Sequence, residues 1–171
     1  MDAGDKKKIR RECVALLRAA GCDEAVVKHC VAVAELALEV ARRHNRGVDK
    51  RLVFEGALLH DLGRARSHGV EHGFVGGEMA KELGLEERVV RIIQRHVGAG
   101  LTAAEAERAG LPAEDFMPET TEEKIVADAD NLIDGVRRTS VEEAVEEFKR
   151  KLGAGHPTVK RVVKLHEEVQ G

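Results

Sequence analysis

At 171 residues and 43% apolar content the chain is long enough to bury a core of its own. With only 2% aromatics, no Trp and no Tyr, that core must be packed from Ala, Val, Leu and Ile. A formal charge of -3 and four Phe argue against a dedicated nucleic-acid binder, which needs a basic surplus and stacking platforms. No stretch approaches the ~18 uninterrupted apolar residues of a membrane span, and the opening Met1-Asp2-Ala3-Gly4-Asp5 followed by Lys6-Lys7-Lys8 lacks the apolar segment of a targeting peptide. A cytoplasmic protein without membrane contact is expected, and Cys13, Cys22 and Cys30 read as buried thiols in a reducing compartment.

The apolar period is helical almost everywhere. Ile9, Cys13, Leu16 and Leu17 make a first stripe that ends at Gly21. Asp23 caps a long helix to about His44, with Val26, Val33, Leu36 and Val40 on one face. Asp49 caps another helix that runs through Leu58-Leu59 into His60-Asp61. A Gly-rich and His-rich loop from Ser67 to Gly73 leads to helices near 72–83 and 86–97, separated by Gly84. Thr102 with Glu105, and Ser140 with Glu143, have capping-box spacing. Pro112, Pro118 and Pro157 punctuate the second half, and no strand-like alternation is visible. The expectation is an all-α domain over 1–171, with C-terminal helices 140–170 packing on the rest.

Positions three, four and seven apart share a helix face, so the polar residues can be placed. His29 lies in line with Val26, Val33, Leu36 and Val40. His60 follows Val53, Gly56 and Ala57, with Asp61 one residue on. His72 heads a stripe of Val75, Gly76, Met79 and Leu83, and His96 ends one built from Val89, Ile92 and Ile93. Asp130 shares its face with Val126 and Ile133, whereas Asp128 sits with Thr121, Lys124 and Asn131. The periodicity therefore makes Asp130 the buried carboxylate and leaves Asp128 in solvent. A buried charge is costly unless paired or bound to a cation. Imidazoles and carboxylates converging from five helices suit a divalent transition metal such as Mn, Fe, Co, Ni or Zn.

His29, the His60-Asp61 pair with Leu62-Gly63-Arg64 behind it, and Asp130 closing the run Glu123 to Asp130 together resemble the H…HD…D signature of the HD-domain metal-dependent phosphohydrolase superfamily. The matched region runs from about residue 23 to 138. His-Gly-x-x-Gly at His72 and a helix ending at His96 are similar to the two-metal branches. The resemblance implies one ion on His29, His60, Asp61 and Asp130. A second ion could share Asp61 as a bridge and use His72 and His96, positions that are not ligands in one-metal branches, so one ion or two is left open. The implied chemistry is hydrolysis of a small phosphorylated substrate, a nucleotide or other ester or anhydride, by metal-activated water. Asp61 and Arg64 are the catalytic candidates, Arg64 for the phosphate oxygens. A non-catalytic metal-binding module on the same fold is the alternative, and substrate and oligomeric state are left open.

Other polar residues take lesser roles. Arg66 and His68 are expected at the rim of the pocket, and Arg95 within reach of substrate. His44, beside Arg42, Arg43 and Arg46, reads as a surface group answering a helix C-terminus. His156 falls in a turn, and His166 has no evident carboxylate partner.

Overall fold

The start signals fall where the backbone needs them. In a computed structural model describing residues 1–44 and 47–171, the helices are α1 Ala3–Ala20, α2 Glu24–Arg43, α3 Lys50–Leu59, α4 His72–Glu82, α5 Glu87–Arg95, α6 Ala103–Arg108, α7 Thr121–Asn131, α8 Val141–Leu152 and α9 Pro157–Gln170. The Asp23 side chain accepts from the Val26 amide, and that of Asp49 accepts from Leu52, which answers one orphan donor at each helix start. Both expected capping boxes form, and a third, Thr120 with Glu123, opens α7. The helices near 72–83 and 86–97 close one or two residues earlier than the pattern suggests.

The all-α expectation holds, with one local exception. Ile133–Asp134 (β1) and Arg137–Arg138 (β2) pair antiparallel across Gly135-Val136. Two-residue strands are too short to show an alternation, but Gly135 at φ 60 is the signal of a tight hairpin turn.

The core holds Val33, Leu38, Val53, Leu58, Leu59, Ile92, Ile93 and Ile125 with Phe54 as its fully buried aromatic, as the composition requires. Cys13, Cys22 and Cys30 are buried free thiols within it. Helix α3 is central, packing on α1, α2, α5 and α7. Helix α4 packs on α5 and on a 3₁₀ turn, Leu62–Ala65, that follows His60-Asp61. That last contact is made backbone to backbone. A Cβ on Gly63 would lie 1.9 Å from the His72 carbonyl oxygen, and one on Gly76 would lie 2.8 Å from the Gly63 nitrogen. Glycine at 63 and 76 thus lets the start of α4 reach the His60-Asp61 pair. At the other end α7 packs on α2, α3, α5 and α9, and α8 on α9. Among the described residues no helix is long and apolar enough to cross a membrane.

Candidate metal centre

Helix ends and starts deliver the polar residues. His29 lies within α2, His60 follows α3, Asp61 precedes the 3₁₀ turn, His72 opens α4, His96 follows α5, and Asp130 sits in the last turn of α7. Three overlapping triads place all six together: His29, His60 and Asp61; His60, His96 and Asp130; Asp61, His72 and His96. Within each triad the ligand atoms lie within 4.8 Å of one another.

Each histidine spends one ring nitrogen on a backbone carbonyl. His29 Nδ1 is 2.8 Å from the Gly135 oxygen, and His60 Nδ1, His72 Nδ1 and His96 Nδ1 are 2.7 Å from the oxygens of Ala57, Gly69 and Ile93. A carbonyl only accepts, so each Nδ1 carries a proton and each ring turns its Nε2 toward the cluster. This is the outer contact that orients metal-binding imidazoles. All four Nε2 atoms face the two carboxylates. His29 Nε2 and His60 Nε2 lie 2.9 and 3.3 Å from Asp130 Oδ1. Asp61 turns Oδ1 to His72 at 3.1 Å and His96 at 3.6 Å, and Oδ2 to His60 at 3.7 Å and His29 at 4.0 Å.

Two details show that a cation fits. His60 Nε2 is fully buried and hydrogen-bonds to nothing among the described residues, an arrangement that costs about 1–3 kcal/mol if left so. His72 Nε2 and His96 Nε2 are 2.9 Å apart. Two lone pairs repel at that distance unless a proton or a cation lies with them. Two nitrogens bound ~2.1 Å from one ion at right angles are about 3 Å apart, so the pair is already spaced as neighbouring ligands.

The charges agree. Burial alone would push both carboxyls up, but the His60 charge, with His72 and His96 facing the same carboxylate, holds Asp61 far below the usual carboxylate range. His60 and His29 do the same for Asp130. Burial lowers His60, yet Cys30, Asp61 and Asp130 outweigh it and hold the imidazole well above its ordinary value. Burial lowers His96, and the neighbouring charges of His60 and His72 keep it low. Without an ion, therefore, the cluster keeps both carboxylates ionised and holds a proton on His60.

Other candidates fall out differently. Arg64 spans the rim, with Nε 3.3 Å from Asp61 Oδ1 and Nη1 donating to the His68 carbonyl at 2.7 Å. Arg66 and His68 are exposed in that loop, Arg66 3.5 Å from Glu82. Arg95 is spent on Glu119 and Glu123 at 2.8 and 2.9 Å, so it ties α5 to the start of α7 and does not reach for substrate. The solvated Asp128 is a correction: it is buried, and His166 Nδ1 lies 3.0 Å from its Oδ1. The same contact gives His166 the carboxylate that its sequence position hid. Helix α9 covers the face of α7 that Asp128 occupies, and a periodicity argument within α7 cannot see a partner from a distant helix. His44 Nε2 meets the Val169 carbonyl at 2.9 Å, a tie to α9 instead of a surface group answering its own helix end; Arg46 lies outside the described residues. His156 caps α9. Sequence reasoning missed the Gly135 carbonyl behind His29 and the amide of Asn131, which donates to the Gly98 oxygen at 2.8 Å.

The HD-domain family model matches residues 26–134, which contain all six residues of the cluster. The chain belongs to the HD-domain family. It is 50% identical over 151 residues to an uncharacterized protein of Methanocaldococcus jannaschii, covering 86% of this chain and 89% of that one. It is 39% identical over 158 residues to a tRNA (cytidine(56)-2'-O)-methyltransferase of Picrophilus torridus, covering 92% of this chain but only 45% of that one. Among solved structures, the HD domain of the Listeria monocytogenes phosphodiesterase PgpH, in complex with cyclic-di-AMP, superposes with a TM-score of 0.56. That superposition covers 92% of this chain and 93% of the other at 15% identity, a likeness of fold.

Proposed function

We propose that the protein, acting as one domain over residues 1–171, is a metal-dependent phosphohydrolase that cleaves an ester or anhydride of a nucleotide or another small phosphorylated molecule. The observation that carries this reading is the division of Asp61, whose two oxygens face different pairs of histidines. In this reading His29, His60 and Asp130 would hold one divalent ion and His72 and His96 a second, with Asp61 shared between them. An ion bound there acidifies a water and neutralises phosphate charge.

The chain's own residues then supply orientation. The four Nδ1 contacts keep the imidazoles in one orientation, so that each Nε2 faces the cluster and an ion has only to displace the proton held on His60. Arg64 has Nε and Nη1 anchored, and among the described residues Nη2 has no acceptor. A fork fixed on two sides presents its remaining edge to a phosphate oxygen without losing rotamer freedom on binding. As water attacks phosphorus and the leaving oxygen departs, charge grows on the equatorial oxygens, and Arg64 offsets it.

The PgpH HD domain was solved with cyclic-di-AMP, and the Picrophilus relative is named for tRNA. Both favour a nucleotide phosphoester as the substrate class. The test is metal analysis followed by phosphate or nucleotide release from nucleoside phosphates, dinucleoside polyphosphates, cyclic dinucleotides and short RNAs. Metal without turnover on any of them makes the protein a metal-binding module and sinks the hydrolase. Arg64→Gln should lower kcat by about 10²–10³ with metal content unchanged.

A further inference from the structure

The ligands His96 and Asp130 share a weakness. His96 is the residue on which α5 ends, and Asp130 is the penultimate residue of α7. The last carbonyls of a helix lack partners within it, and helix ends fray first. Side chains held there are placed only as well as the chain beyond them is held. Beyond His96 the chain enters a turn in which Gly98 and Gly100 adopt φ 61 and 85, and the Gly100 amide donates to Val97. A Cβ on Gly100 would lie 2.7 Å from Met117 Cα, so the turn is seated tightly on the segment before α7. Beyond Asp130 comes Asn131, half-buried, whose Nδ2 donates to the Gly98 carbonyl at 2.8 Å. That bond joins the two fraying ends directly.

We infer that Asn131 is a positioning residue: its amide clamps the exit of His96 to the end of α7 and thereby fixes the distance between the two halves of the cluster. The inference rests on the two-ion reading above. It concerns the half built on His72 and His96, because Asp130 is also held by the hairpin that follows it, where the Thr139 amide donates to the Leu132 carbonyl at 2.8 Å, and His29 and His60 are set by α2, α3 and that hairpin.

The test is titration of ion-free protein with Mn²⁺ alone, followed by calorimetry, with the melting temperature as a control for folding. Asn131→Leu should leave the first ion as in the wild type and weaken the second by about tenfold, the lower end of outer-contact effects. Asn131→Asp keeps the shape and loses the donor. Its added negative charge would by itself tighten both ions, so selective weakening of the second supports the clamp even if the leucine variant folds poorly. Asn131→Gln, which keeps the donor, should recover part of the loss. Two ions bound with wild-type affinity in both the Leu and Asp variants overturn the inference, as does equal weakening of both ions in step with the melting temperature. A wild-type chain that takes up one ion or none overturns it together with the two-ion reading.

Discussion

Two carboxylates leave α7 on nearly opposite sides, and each meets histidine. Asp128 and Asp130 are two residues apart, about 200° around the helix. On the α9 side Asp128 is buried against one histidine, both oxygens within 3.0–3.1 Å of His166 Nδ1. Burial pushes its carboxyl up, and His166 and then Gln170 work against that. On the other side Asp130 keeps more solvent contact yet faces two Nε2 atoms, with Asp61 and two further imidazoles behind them. Burial therefore does not distinguish a structural carboxylate from a ligand here. The number of ligand atoms that converge does: Asp128 meets one histidine, whereas Asp130 belongs to a cluster with four histidines and a second carboxylate.

The largest effect should separate the two sides cleanly. Asp130→Ala should lower metal affinity by about 100-fold or more, the upper end of what losing a ligand's hydrogen-bond partner costs and a minimum for a direct ligand, while Asp128→Ala should leave the metal content close to wild type. Inductively coupled plasma analysis of both purified variants reads this out. Equal losses, or a loss only at Asp128, would mean that the ligand has been assigned to the wrong side of the helix.

A smaller effect belongs to stability. Removing one partner of a buried pair strands the other, which costs 3–5 kcal/mol when both are fully buried; His166 keeps some solvent contact, so about 2 kcal/mol is expected for His166→Ala. Replacing both, in Asp128→Leu/His166→Leu, removes the stranded charge and should return most of that loss. Urea unfolding of the single and double variants without added metal gives the comparison. A double variant as unstable as the single would show that the pair does more than satisfy itself.

Much of this was legible in sequence. The inward faces of α2, α3, α4 and α5 predicted His29, His60, His72 and His96, because 3.6-residue periodicity reports which side of a helix meets its neighbours. The Gly63 and Gly76 approach, the Gly135 carbonyl and the Asn131 amide were not, since each depends on two segments meeting at backbone distance. Asp128 failed for a related reason. Its own helix face is polar, and only the docking of α9 made that face interior.

The subtlest contrast is in pH. His60 has its folded pKa raised above its ordinary 6.5. The stability it contributes is fully present below that value and is lost as pH rises through the raised one. Asp61 and Asp130 are depressed from 3.8, so their contribution is present above that value and lost only on strong acidification. Ion-free protein should therefore be most stable between those limits and weaken on the alkaline side, where the two carboxylates lose the imidazolium between them. An ion reverses the slope, because its ligands are deprotonated imidazoles and protons compete for them, so binding strengthens as pH rises. Urea midpoints taken from pH 5 to 9, with chelator and with excess Mn²⁺, should diverge above neutrality. Parallel curves would mean that the ion does not take the place of the His60 proton, and the cluster would then be a buried charge network like the Asp128 pair on the far side of α7.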